Sequence, residues 1–363
     1  MSTAPAQTLL QVRGLTVQFP TARGTLRAVG GADLVLRSGE CLGIVGESGS
    51  GKTQLLHAIL GLSPPRARLN GSIRYRDQEL LGLPLRALNR IRGHRIAMIF
   101  QDPMTALNPC LRIGAQIAEV AQLHLGTSRR EAQRRALSML EAVQIADPQR
   151  CLHQYPHELS GGMRQRVMIA MALIGEPDIL LADEPTTALD VTVQAQILTL
   201  LRELRARSGA SVLLVTHDLG VIAEIADRVA VMYAGAVLEQ APVDGIFSNP
   251  RHPYTEALQR CLPRVDQPQP ARLPSIGGRP PPLSALPPGC PFAPRCLYRL
   301  PICETRMPPL TEVCTDPIPA GASAEERAAA AAFGNGGPPA PAAHHFKACW
   351  HEGPLGRLLP GRT

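Results

Sequence analysis

Aromatic side chains are scarce in this chain, at 3% of 363 residues with a single Trp. A core must therefore be built from Leu, Val, Ile and Ala. At 45% hydrophobic there is enough apolar material for one large or two ordinary domains. Long apolar runs are also missing. The stretches 167–174 and 179–182 are separated by Gly175, Glu176, Pro177 and Asp178, well short of the roughly 18 continuous apolar residues that a membrane-crossing helix needs. Residues 1–7 have neither a basic start nor an apolar centre, which predicts no secretory leader and a cytosolic setting. In that setting the nine cysteines are expected to be reduced or metal-bound, not paired as disulfides. The net charge of +7 has no single focus. Its densest basic run, 128–135, includes Glu131 and reads as a solvated helix face, so no nucleic-acid partner is expected.

Hydrophobic patterning gives the organisation. Val- and Leu-rich segments at 9–19 and 25–36 predict early strands, followed by short strands at 73–75 and 96–100. From 108 to about 174 the pattern is helical, with Ser128 and Glu131 spaced as a capping pair. Alternation then returns: strand 179–182, helix 191–206, strand 211–216, helix 219–226 and strand 229–233. Strands alternating with helices predict an α/β sheet covered on both faces. Pro and Gly crowd 263–289, which reads as an extended linker. The expected division is a large domain at 7–262, the linker, and a small cysteine-containing domain at 290–363. An Ala-, Pro- and Gly-rich insert occupies 319–343 of that last part.

Gly46-Glu47-Ser48-Gly49-Ser50-Gly51-Lys52-Thr53 fits the spacing G-x-x-x-x-G-K-[ST] between an apolar run and a helix-compatible stretch. Gly46, Gly49 and Gly51 allow successive backbone N–H groups, with those of Ser48 and Ser50, to turn toward anionic oxygens. Lys52 is placed for the β- and γ-phosphates of ATP, and Thr53 for Mg²⁺. The run 179–182 ends in Asp183, a second Mg²⁺ ligand, and Glu184, a base for the attacking water. The loop and this acidic pair are expected at the ends of neighbouring strands. Ser160-Gly161-Gly162 opens a helix whose bare N–H groups suit a second phosphate.

Leu159-Ser160-Gly161-Gly162-Met163-Arg164-Gln165-Arg166 resembles the signature motif of ABC ATPases. In the family's order, Gln101 resembles the Q-loop glutamine, Ala188-Leu189-Asp190 the D-loop, and His217 the switch histidine. The segment from Ile99 to Pro109, Tyr155-Pro156-His157-Glu158 and His252-Pro253-Tyr254-Thr255 are similar to the peptide/nickel importer branch, with Ala106 and Gln54 departing from the common residues. The resemblance implies a P-loop NTPase of ABC type: a RecA-like α/β core, an antiparallel β subdomain and an inserted helical subdomain at about 108–175. It implies the D-type ATP-binding subunit of a dipeptide, oligopeptide or nickel importer, hydrolysing ATP at the cytoplasmic face of the inner membrane. Glu184, His217 and Gln101 would be catalytic, with Gln101 also a Mg²⁺ ligand beside Thr53 and Asp183. Ser160, Gly161, Gly162 and Asp190 would serve a nucleotide sandwiched against a second ATPase, a related but distinct chain being favoured and a homodimer left open. Two permease subunits and, indirectly, a substrate-binding protein complete the implied assembly, with a cytoplasmic loop of a permease received near 101–109.

Cys290, Cys296 and Cys303 are separated by five and six residues, and Cys349 follows. Four thiolates could hold an iron–sulfur cluster or zinc. The resemblance implies a [4Fe–4S] cluster acting as a structural cross-link. Cys314 is a possible substitute ligand, and His344, His345 and His351 keep zinc as the alternative. Phe19 is the aromatic nearest the loop for stacking on adenine, or a core residue. Two other classes remain: a soluble ABC ATPase acting on DNA or ribosomes, which usually carries large insertions or a second core, and a regulatory protein that holds ATP without hydrolysis, against which Glu184 and His217 argue.

Overall fold

A computed structural model describes residues 7–22, 24–187, 189–262, 275–313, 344–352 and 355. The 319–343 insert, Cys314, Ala188 and 263–274 of the linker lie outside the described residues. The strands are β1 (Thr8–Thr21), β2 (Gly24–Arg37), β3 (Cys41–Val45), β4 (Arg68–Tyr75), β5 (Gln78–Glu79), β6 (Ile96–Ile99), β7 (Ile179–Asp183), β8 (Ser211–Thr216), β9 (Arg228–Tyr233), β10 (Ala236–Pro242), β11 (Thr311–Val313) and β12 (His345–Lys347).

Two sheets form. A four-stranded antiparallel sheet has the order β2-β1-β4-β5. An eight-stranded sheet has the order β11-β12-β10-β9-β3-β8-β7-β6. Its β9, β3, β8, β7 and β6 run parallel, while β10, β12 and β11 are antiparallel additions at one edge. Every residue of β3, β7 and β8 is buried. That explains their largely apolar sequences, since a parallel sheet has no solvated face.

The two-residue period of a strand divides the core into two layers. Leu42, Ile44, Ile179, Leu181, Leu213 and Val215 face the antiparallel sheet and the helix Lys52–Ile59. Cys41, Val45, Leu180, Ala182, Val212 and Leu214 face the other layer, with the helices Gly161–Leu173, Val191–Ser208 and Leu219–Ile225. Each fully buried Leu or Ile contributes about 1.5–3 kcal/mol relative to an exposed one. Between β6 and β7 the chain makes Ile113–Leu125, Arg129–Ala142, Pro148–His153 and Gly161–Leu173. Ser128 caps the second of these, its Oγ accepting from Glu131 N at 3.3 Å.

The loop and the acidic pair do not follow neighbouring strands. β8 lies between β3 and β7. Because all three are parallel, their carboxyl ends still share one edge, and the end of β8 carries His217 between the other two motifs.

The C-terminal segment is joined to the main sheet. β12 pairs with β10, Glu239 opposite Lys347 and Gln240 opposite Phe346, and β11 pairs with β12. Glu239, wholly buried, accepts from Arg251 N (2.6 Å) and His252 N (3.0 Å) and meets His345 Nε2 at 2.6 Å. Part of the Pro-rich stretch is also docked: Arg27 N donates to Leu283 O at 3.1 Å, and Ile276, Leu283 and Leu286 pack on the core. Among the described residues no helix is long and apolar enough to cross a membrane.

Candidate functional site

The loop after β3 closes around its own lysine. Lys52 Nζ donates to Gly46 O at 2.7 Å and Glu47 O at 3.0 Å, and lies 3.4 Å from Ser50 Oγ. Lys52 and Ser50 are buried, while Ser48 and Gly49 are exposed at the tip. Gly46 and Gly51 allow no other residue in this geometry. A Cβ on Gly46 would stand 2.0 Å from Met232 O, and one on Gly51, at φ +100°, 2.1 Å from Ala28 O. The cradle is thus pressed against backbone on its inner side and open at Ser48 and Gly49, where N–H groups are free to face an anion. Burial lowers the ammonium pKa of Lys52, and the Glu184, Asp183 and Glu47 carboxylates act against that lowering.

The other motifs converge on this edge. Thr53 Oγ1, one residue into the helix, donates to Asp183 Oδ1 at 3.1 Å. Asp183 is 2% exposed, and burial raises its carboxyl to about 6, with Thr53 opposing, Glu184 adding and Lys52 opposing. Two oxygens so placed, beside a phosphate cradle, form a fitting donor set for Mg²⁺. Glu184 collects three side chains. Its Oε2 accepts from Gln101 Nε2 (3.1 Å) and Thr187 Oγ1 (2.8 Å), and its Oε1 lies 3.3 Å from His217 Nδ1. The Glu184 backbone has φ 45°, in the left-handed region that favours glycine. Glu184 N donates to Val215 O at 2.8 Å, so the β8 backbone holds the carboxylate in place.

Ser160, Gly161 and Gly162 are elsewhere, at the start of Gly161–Leu173. Ser160 Oγ accepts from Met163 N at 3.3 Å. Ser160 and Gly161 are exposed, and a Cβ on Gly161 would meet nothing within 4 Å. Asp190 caps Val191–Ser208 by accepting from Val193 N at 2.9 Å. Phe19 is partly buried against the core.

The iron–sulfur cluster and its zinc alternative are corrected by the structure. Cys290, Cys296, Cys303 and Cys349 do line one small pocket, together with Phe292 and Trp350, but its free volume is only about 10 Å³. Among the described residues no group of three His, Cys, Asp or Glu side chains could hold a metal ion. Burial pushes the Cys290 thiol up to about 12 and Cys296 to about 11, and it raises Cys349 also. Two of the three candidate histidines are engaged elsewhere: His344 with Glu312, His345 with Glu239. The cross-link expected of the cluster is made instead by the β10–β12 ladder and the Glu239–His345 contact.

Sequence reasoning missed the residues that hold the loop from behind. Glu47 N donates to Tyr254 Oη at 3.0 Å, and the Glu47 carboxylate pairs with Arg295 Nη1 at 2.9 Å. It missed Thr187 as a partner of Glu184 as well. The segment His252-Pro253-Tyr254-Thr255 was a signal, but it carried no indication of its target. A cavity of about 510 Å³ lies at the C-terminal segment, between Glu256, Arg260, Cys261, Arg295 and Tyr298, and not at the phosphate loop.

Comparison with known proteins matches residues 29–187 to the family described as ABC transporter. It matches residues 238–303 to the C-terminal region of oligopeptide/dipeptide transporters. The chain is 51% identical over 304 residues to the oligopeptide transport ATP-binding protein OppD of Salmonella typhimurium, covering 84% of this chain and 90% of that one. It is 50% identical over 307 residues to OppD of Escherichia coli, covering 85% and 90%. A probable peptide ABC transporter ATP-binding protein of Sinorhizobium fredii, y4tR, is 50% identical, covering 86% and 94%. None of these names points to an iron–sulfur or zinc centre. Among solved structures, the dimeric bacterial ABC transporter cassette MJ0796 aligns with a TM-score of 0.59 and 30% identity, covering 65% of this chain and 99% of that one. MJ0796 is also known as a post-hydrolysis dimer bound to ADP and Pi, at the same TM-score and coverage.

Proposed function

The chain belongs to the family of ATP-binding proteins of peptide ABC transporters, and from that premise we propose that it hydrolyses ATP to drive import of dipeptides or oligopeptides, as one half of a nucleotide-sandwich dimer docked on two membrane subunits. The observation that carries the reading is the gathering of Lys52, Thr53, Asp183, Glu184, Gln101 and His217 at one edge of the parallel strands.

Each residue has a task that its position permits. Lys52 exchanges the Gly46 and Glu47 carbonyls for the β- and γ-phosphate oxygens. The backbone N–H groups of the 46–53 cradle and the helix start at Lys52 bind the remaining phosphate oxygens. Thr53 and Asp183 would hold Mg²⁺, with Gln101 beside them, and the ion would neutralise charge between the β- and γ-phosphates. Glu184 orients the attacking water and takes its proton. Thr187, Gln101 and His217 fix that carboxylate in one orientation. Ser160, Gly161 and Gly162 present their N–H groups to the nucleotide held by the partner's loop, with Asp190 beside the same interface.

The partner is a related but distinct ATPase, a reading supported by similarity to D-type subunits. The complex lies on the cytoplasmic face of the membrane, and a permease loop docks near 101–109. The test is reconstitution into vesicles with the two permease subunits and a peptide-loaded binding protein. ATP turnover should depend on the membrane subunits, and labelled peptide should accumulate. Turnover indifferent to both would sink the importer reading.

A further inference from the structure

We propose that Arg295, on the C-terminal segment, is a positioning residue for ATP binding: its guanidinium neutralises the Glu47 carboxylate and turns it away from the phosphates. This rests on the reading of 46–53 as the ATP site.

Glu47 is an awkward residue for a loop that must accept a tri- or tetra-anion. Its carboxylate is one of three whose field reaches Lys52. Left free, it would repel the phosphates at the point where the loop attracts them. It is not free. Arg295 Nη1 lies 3.0 Å from Glu47 Oε1 and 2.9 Å from Oε2, although 248 residues separate the two in sequence.

The guanidinium cannot swing aside to leave Glu47 uncovered. Nη1 also donates to Tyr233 Oη at 3.2 Å, Nε to Gly277 O at 2.9 Å and Nη2 to Ile276 O at 3.2 Å. The Arg295 side chain is only 5% exposed, against 25% for Glu47. A planar fork with all three nitrogens engaged is fixed in direction, which an ammonium on a flexible stem would not be. The turn Ala293–Arg295 rests on an aromatic bed, with Phe292 5.4 Å from the Tyr233 ring and 5.2 Å from the Tyr254 ring. Tyr254 meanwhile holds the Glu47 N–H. The side chain and the backbone N–H of Glu47 are thus fixed by the C-terminal part of the chain, while its carbonyl faces Lys52. The C-terminal segment therefore completes the phosphate site electrostatically without touching the nucleotide.

The experiment measures the ATP KM and kcat of the full chain in its assembled transporter. Arg295→Met should raise KM about tenfold, the effect of one unmasked charge at short range, with kcat within about twofold. Adding Glu47→Gln to Arg295→Met should bring KM back to within about threefold of wild type, because the repelling charge is gone. A structural role alone would not be rescued this way. An unchanged KM in Arg295→Met, or a double variant as impaired as the single one, overturns the proposal. If Arg295→Met does not fold, Glu47→Gln alone decides: it should lower KM, and a KM above wild type overturns the idea. Wild-type KM in Lys52→Ala would be a different failure, that of the ATP-site reading itself.

Discussion

Glu184 occupies a backbone conformation that its side chain does not favour, at φ 45°, with three side chains and the Val215 carbonyl holding it there. Strain of this kind, of order 1–3 kcal/mol, persists only where the surroundings over-determine it, and it concentrates at functional sites. The consequence is a carboxylate aimed in one direction. Glu184→Gln keeps the shape and the Thr187 contact but removes the basic oxygen. Turnover in the reconstituted complex should fall by roughly 10²–10⁴-fold while nucleotide binding persists. Wild-type turnover would move the base elsewhere. Lys52 makes a related point through composition: the chain holds only two lysines among its 37 basic residues. Where a compact ammonium is needed at the phosphates it is present, and nearly everywhere else arginine serves.

At the scale of elements, the strands of the parallel sheet were legible because complete burial writes itself as short apolar runs between turn residues. β3, β7 and β8 lie within a residue of the apolar segments that announce them. Their order was not legible, since the placement of β8 between β3 and β7 is a long-range fact with no local pattern. β12 was invisible for the same reason: it has three residues, two of which pair with a strand more than a hundred positions upstream. The cysteine spacing misled because it fixes separation along the chain but not the room between sulfurs. His252 is an element-scale device of a different kind. Its Nδ1 accepts from Tyr254 N at 3.0 Å and caps Pro253–Arg260, and it is 1% exposed. Burial lowers its pKa to about 3, and Lys347 adds to the effect. The folded chain therefore keeps this ring neutral, while the unfolded chain protonates it below the ordinary value near 6.5. The stabilisation is fully present above that pH and is lost as pH falls toward the folded value, by up to about 1.4 kcal/mol per unit. Denaturant unfolding of the wild type should weaken between pH 6.5 and 5.5. His252→Asn retains a capping oxygen and should weaken less. Equal slopes in the two chains would remove His252 as the cause.

At the scale of the whole molecule, the sandwich reading assigns the two phosphate-binding ends of this chain to different nucleotides. Lys52 follows β3, whereas Ser160 starts a helix of the segment between β6 and β7, exposed and bonded only within its own turn. An exposed helix start beside two glycines suits an anion brought by another subunit. In the sandwich reading that anion is the γ-phosphate on the partner's loop, and closure draws its free energy from binding this phosphate better closed than open. Ser160→Arg tests the arrangement. Ser160 is itself exposed, so a longer side chain there extends into solvent. The cation would then occupy the partner phosphate's place. The isolated variant should bind nucleotide at Lys52 with unchanged affinity, because Ser160 touches none of the residues that build that site. The assembled complex should lose turnover by at least about tenfold, through failure to close over the partner's nucleotide. Normal hydrolysis at both sites of the complex would show that Ser160 does not act in trans, and the two ends would have to be reassigned to a single nucleotide.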